Sequence, residues 1–357
     1  MPLNRKNNVS LLFALFICLV TKSCLDRSGK QNVVGSEKSL DTFVEKNYVL
    51  YSVYEKGDSR RYGVFPDKQA DGSPHPFSGK SKIQTLLDIS ERGKIEIRFT
   101  EGYYPFDLTL IKRRNVRLIF ENATFKTLYL TNENEEILNQ IKLEGTLKLV
   151  DRLGAYNING VEMDSIIVYS DTTNVLLNYR NRGCKFYKKT NNVKIKYLKI
   201  SDVGSGSKLF ENTYAALMID GMGDNPKNIS IQEVVISNVD RNGMYVSGNN
   251  HSFGIVNISS FGKGSKEHLN KIQETVGNEY LTFCGIWINR CEDTYFRRVN
   301  ILADDSLEWP VFMKLDEGPV YKPVVIDYLE MNRIYEDTLI YDKKTTNVLI
   351  KRVKDSI

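Results

Sequence analysis

Gly243-Met244-Tyr245-Val246-Ser247 and Gly285-Ile286-Trp287-Ile288-Asn289 lie one on the other without a gap. Ala216-Leu217-Met218-Ile219-Asp220 and Pro310-Val311-Phe312-Met313-Lys314 extend the alignment to four segments. A strand sends successive side chains to opposite faces, so Leu217/Ile219, Met244/Val246, Ile286/Ile288 and Val311/Met313 share one side. That aliphatic side is the expected core. No five-residue segment can bury such a side alone, but four stacked in parallel bury it as a continuous column, which predicts one repetitive all-β body. The same alternation predicts an outward column of Met218, Tyr245, Trp287 and Phe312, with Asp220, Ser247, Asn289 and Lys314 beside it.

A second repeat runs through the chain. Asn followed by a β-branched residue recurs at Asn115-Val116, Asn174-Val175, Asn192-Val193, Asn228-Ile229 and Asn347-Val348, with irregular, solenoid-like spacing. Between two of the aligned segments, the stretch from Lys263 to Tyr280 is too long for a tight turn and is expected to project beside the stack.

Upstream, residues 62–106 hold Tyr62-Gly63-Val64-Phe65-Pro66, the turn Asp71-Gly72-Ser73, a helical stretch around Ile83-Gln84-Thr85-Leu86-Leu87 and the strand-like Gly93-Lys94-Ile95-Glu96-Ile97-Arg98-Phe99. Glu101-Gly102-Tyr103-Tyr104 follows. This order resembles the opening of the pectate-lyase-like β-helix superfamily, although Ser73-Pro74-His75-Pro76 stands where its members usually carry an acidic pair. The resemblance implies a single-stranded right-handed parallel β-helix with an N-terminal capping helix. It also implies polysaccharide lyases, glycoside hydrolases and sugar epimerases as candidate activities.

The N-terminus carries Arg5 and Lys6, an apolar run from Val9 to Val20, and Thr21-Lys22-Ser23 before Cys24, the pattern of a secretory signal peptide. The run is short for a membrane-spanning helix, which needs about 20 apolar residues. The Cys at the expected cut resembles a bacterial lipoprotein, in which Cys24 is acylated and anchors the chain to the envelope membrane; free secretion is the alternative. The expected organisation is a signal peptide over 1–23, a polar tether over 24–45 and the β-helix over 46–357.

Removing residues 1–23 takes away Arg5, Lys6 and Lys22 and no acid, lowering the formal charge from +5 to +2. Such a balance gives no footprint for nucleic acid. The body retains Cys184, Cys284 and Cys291, an odd and sparse set that argues against a disulfide framework. His75, His251 and His268 are far apart and no C-x-x-C pair exists, so no zinc site or other cofactor is evident. Calcium ligands drawn from separate rungs would leave no local motif.

Rings on neighbouring rungs about 4.8 Å apart suit an extended polysaccharide, since they stack on sugar faces while flanking polar groups hold hydroxyls and carboxylates. Tyr245, Trp287, Phe312, Ser247 and Asn289 are therefore the expected substrate-binding set. Lateral loops covering the rings as a second core are the structural alternative. β-Elimination on a uronate needs positive charge for the carboxylate, a base and an acid. Lys314, Arg290, Asp220, Arg241 and His251 are the candidates, with Lys314 the expected base because its apolar neighbours disfavour the charged form. Hydrolysis needs two carboxylates across the scissile bond, available among Asp220, Asp240, Asp304 and Asp305. A non-catalytic glycan-binding or structural envelope protein is the third reading.

Overall fold

The computed structural model describes residues 43–68, 73–170, 181–204, 215–262, 283–304, 311–316, 318, 322–332, 340–342 and 347–355. The leader with Cys24, Asp71-Gly72, Asn174-Val175, the stretch from Lys263 to Tyr280, Asp305 and Trp309-Pro310 lie outside them. Phe43–Ile357 form one unit. Its boundary falls slightly before the expected residue 46, because Phe43 stacks on Tyr48 at 5.2 Å and Glu45 accepts hydrogen bonds from Arg61 and the Tyr62 hydroxyl.

Among the described residues one α-helix, α1 (Lys82–Gly93), precedes the strands. Ser81 caps its start by accepting the Gln84 amide, and Lys94 closes it in the left-handed region. Its buried face carries Leu86, Leu87 and Ile89. The Ser90 hydroxyl ties it to the first long strand, donating to the Arg117 carbonyl and accepting the Arg117 amide.

The strands are β1 (Ile97–Phe99), β2 (Gly102–Ile111), β3 (Arg117–Thr131), β4 (Leu138–Tyr156), β5 (Asn159–Val168), β6 (Gly183–Tyr187) and β7 (Asn191–Val203). They continue as β8 (Ala215–Asp220), β9 (Lys227–Val239), β10 (Asn242–Asn249), β11 (Ser252–Ser259), β12 (Cys284–Glu292), β13 (Thr294–Leu302) and β14 (Val311–Leu315). Five short strands close the order: β15 (Val324–Ile326), β16 (Leu329–Met331), β17 (Ile340–Asp342), β18 (Val348–Ile350) and β19 (Val353–Asp355). The pairings among them are parallel, as in β4 with β6 and β10 with β12. The neighbours also close on themselves: β4 pairs both β5 and β6, the chains β5–β7–β9 and β6–β8–β10 follow, and Asn249↔Lys227 joins β10 to β9. These seven strands enclose the core.

Register turns the sequence pattern into columns. Leu108, Leu128, Leu153, Cys184, Leu217, Met244, Ile286 and Met313 follow one another rung by rung, each fully buried. A second column runs Ile97, Leu118, Leu143, Met163, Ile195, Ile231, Phe253, Phe296 and Ile326, in which Phe253 and Phe296 stack at 4.6 Å. Burying one such side chain contributes about 1.5–3 kcal/mol, so the columns carry the body's stability.

The Asn repeat marks a corner. Asn115, Gln140, Gly160, Asn192 and Asn228 all have positive φ, and each precedes an inward β-branched residue. Asn tolerates the left-handed region better than most residues, and its side chain bonds the rung beside it. Asn192 Nδ2 donates to Asn159 Oδ1 at 2.8 Å and Asn228 Nδ2 to Asn191 Oδ1 at 2.7 Å.

Three of the four aligned segments have the register read from sequence: Leu217↔Met244↔Ile286 and Met218↔Tyr245↔Trp287. The fourth is displaced by two residues, so Ile286 faces Met313 and Trp287 faces Lys314. A displacement of two preserves the faces, so Met313 stays in the core and Lys314 stays outside. Phe312, expected outside, is fully buried and lies 6.4 Å from Phe261. It occupies the corner position of Gly243 and Gly285, where an added Cβ would meet the core side chains Ile258 and Ile301.

Ile286→Asp would place an unpaired carboxylate in the core between Met244 and Met313, a cost of several kcal/mol. The expected result is loss of the cooperative melt followed by circular dichroism; an unchanged melting temperature would refute this register.

Candidate functional site

One outer face carries two columns set by β6, β8, β10, β12 and β14. The first runs Lys185, Met218, Tyr245, Trp287, Lys314. The second lies two residues along each strand and runs Tyr187, Asp220, Ser247, Asn289, Asp316. The columns stand in line, but the expected run of three exposed rings does not form: Lys314 takes the place assigned to Phe312, which is buried, and Asp316 the place assigned to Lys314.

Its centre is a linked set of side chains. The Tyr245 and Trp287 rings meet edge to face at 5.4 Å. Lys314 Nζ sits over the Trp287 ring, 3.7 Å from its centroid, a cation–π contact. Trp287 Nε1 donates to Asp316 Oδ2 at 2.7 Å, and Asn289 Nδ2 donates to the Tyr245 hydroxyl at 2.8 Å. Ser247 Oγ donates to the Ile219 carbonyl at 3.0 Å and to Asp220 Oδ1 at 3.2 Å. Burial pushes the Tyr245 phenol up to about 12, helped by the nearby carboxylates Asp220 and Asp316 and opposed by Asn289 and Arg290. Tyr245 thus keeps its proton at neutral pH.

The rings are less open than expected. Tyr245 is only 9% exposed and Trp287 is half-buried, so the face does not present a broad aromatic platform. Arg290 is exposed at positive φ, where the register shifts between β10 and β12, and its charge reaches Tyr245.

Two expected catalytic residues do not join this set. His251 is 2% exposed; its Nδ1 accepts the Ile229 amide at 3.1 Å and its Nε2 faces the Ser247 carbonyl at 3.0 Å. Burial pulls its pKa down to about 4, so it is a neutral residue bracing a corner, with neither nitrogen aimed at the strip. Arg241 precedes β10, at the opposite end from Ser247, and its guanidinium lies 5.9 Å from the Phe283 ring. Asp240 and Asp304 also stand away from the strip: the Asp240 amide bonds the Val203 carbonyl, and Asp304 accepts from the Ser260 hydroxyl.

Sequence reasoning missed Lys185, Tyr187 and Asp316. The first two belong to Gly183-Cys184-Lys185-Phe186-Tyr187, whose inward Cys and Phe hid it from a search for aliphatic alternation, although its register matches β8. Burial, together with the Arg152 and Arg182 charges, lowers the Lys185 pKa to about 8.

Another face carries an open groove of about 600 Å³ lined by Arg117, Lys142, Glu162 and Lys194. Its charges bridge between rungs, Arg117 to Glu144 at 3.0 Å, Lys142 to Glu162 at 3.7 Å and Lys194 to Glu162 at 3.6 Å. Such exposed pairs are worth about 0–1 kcal/mol each and describe a solvated charge ladder. The smaller aromatic strip is the better candidate because unlike groups converge there. Among the described residues no group of three His, Cys, Asp or Glu side chains could hold a metal ion, and Cys184, Cys284 and Cys291 are buried free thiols.

His251 gives a pH test. Its native pKa of about 4 lies below the usual 6.5, so between those values the unfolded chain binds a proton that the native state refuses. Stability should fall as the pH drops from 6.5 to 4, and His251→Gln should flatten that slope in denaturant titrations. An equal slope in both proteins would refute the buried neutral ring.

The chain matches no family model, no curated protein and no solved structure, so the reading of this face rests on its own geometry.

Proposed function

We propose that the parallel stack is a right-handed β-helix of the pectate-lyase-like kind, and that it binds an extended polysaccharide along the strip and cleaves it by β-elimination. The chain is exported on its N-terminal leader and held at the bacterial envelope through a lipid on Cys24. The observation that carries the reading is the contiguous set Tyr245, Trp287 and Lys314 on three successive rungs, with Asn289, Asp220 and Asp316 beside it.

The chemistry follows from the state of each group. Lys314 holds its Nζ against the face of Trp287, a position from which it suits pairing with a uronate carboxylate. Arg290 adds a second positive charge. Tyr245 keeps its phenolic proton and can give it to the leaving oxygen. Asp220 is the nearby carboxylate that can take the C5 proton, and the C4–oxygen bond breaks as the double bond forms.

Hydrolysis fits less well. Asp220 and Asp316 are three rungs apart, about 14 Å along the stack at about 4.8 Å per rung. The paired carboxyl groups of glycoside hydrolases stand about 5–9.5 Å apart.

The test is incubation of the purified protein with a panel of uronate-containing and neutral polysaccharides, following the ultraviolet absorbance of unsaturated products together with new reducing ends. Both signals should rise on a uronate polymer. Reducing ends without absorbance would replace elimination by hydrolysis, and silence in both with retained binding would leave a glycan-binding protein. Trp287→Ala should weaken binding about tenfold or more, by removing the ring that seats Lys314, while the melting temperature changes little. Equal loss of binding and folding would show that the ring serves the core alone.

A further inference from the structure

The strip does not end at Met218. One rung earlier stands Lys185, directly over Gly154 of β4. Gly154 leaves a notch that the Tyr129 ring fills, since a Cβ there would lie 3.0 Å from Tyr129 Cδ2. Tyr156 and Tyr187 stack beside it with ring centres 6.1 Å apart. Arg152 stands two residues along β4 from Gly154, opposite Gly183, and is exposed. Arg182 is anchored by forked hydrogen bonds from Nε and Nη2 to Asp151, whose side chain is 1% exposed.

Gly183 holds this arrangement close to the next rung. Its φ is +68°, and an added Cβ would lie 2.3 Å from the Ala216 carbonyl oxygen. The backbone of β6 is therefore fixed against β8, and Lys185 is fixed in line with Met218, Tyr245, Trp287 and Lys314.

We propose that Lys185, Arg152 and Arg182 form an anion-binding subsite four rungs from Lys314, which holds an acidic substituent, carboxylate or sulfate, of the polysaccharide whose reacting unit lies at Tyr245 and Trp287. The proposal deepens the polysaccharide reading and rests on it. Lys185, Arg152 and Arg182 gather beside the buried Asp151 carboxylate, and the two guanidiniums work against the charge on Lys185. A bound anion relieves that repulsion, while the three tyrosine rings offer an apolar wall for a sugar face. Between the two lysines the inner column carries no charge. A ligand anchored at both ends therefore needs acidic groups about 19 Å apart, four steps of about 4.8 Å.

The experiment is calorimetric titration of the protein with three series of oligosaccharides of increasing length: uronates, sulfated neutral-backbone oligomers and neutral oligomers. Acidic oligomers long enough to span both lysines should bind markedly tighter than short ones, and neutral oligomers should show no such step. Lys185→Met should remove the step, lowering affinity for the long acidic oligomers about tenfold, with short oligomers and neutral ones unchanged. Arg152→Gln, on an exposed residue, should do the same in part and serves if Lys185→Met fails to fold. The uronate and sulfate series identify which substituent the subsite takes. Wild-type affinity for long acidic oligomers in both variants, with loss in Trp287→Ala, would overturn the subsite and leave the strip standing. No binding of any series to the wild-type protein would overturn both.

Discussion

The strands of this body pair in parallel with the strand a rung before or after, and that single constraint decides the rest. Parallel pairing puts residue upon equivalent residue, so an apolar position must stay apolar along the whole column or leave an unmatched group inside. The column from Leu108 to Met313 obeys this over eight rungs. Cys184 belongs to it as a small apolar side chain, its thiol pushed up by burial.

The same registration builds the outer face. Neither Tyr245 nor Trp287 is near Lys314 or Lys185 in sequence, yet all four stand in one line because their inward neighbours are stacked. The order of this face is a by-product of core order, and its outer groups are tied to one another: Lys314 to Trp287, Trp287 to Asp316, Asn289 to Tyr245. Each tie restricts a side chain that would otherwise rotate in water, so the groups hold one arrangement relative to one another.

Much of this was legible in the sequence because alternation and corner residues are local signals. The Asn-led strand starts, the helix before the first strand and three of the four aligned rungs could be read directly, and so could the positions of Tyr245, Trp287, Asp220, Ser247 and Asn289. What could not be read depends on distances between rungs. Phe312 obeys the same alternation as Trp287, but its strand is displaced by two, which carries it to the corner held by Gly243 and Gly285. His251 looked available because a turn histidine has no sequence mark of burial, whereas its ring braces Ile229 and Ser247. Lys185 escaped notice because Cys184 and Phe186 occupy its inward positions.

Rung lengths in this chain vary widely while the columns do not. Leu217 and Met244 stand on adjacent rungs 27 residues apart, and Met244 and Ile286 stand on adjacent rungs 42 residues apart. Spacings of 27 and 42 residues give the same in-line register, so the length between strands is decoupled from the order inside. For evolution or for an engineer, chain length between β11 and β12 is therefore a free variable: residues added there leave the register of both strands, and with it the Tyr245–Trp287 pair, as it stands.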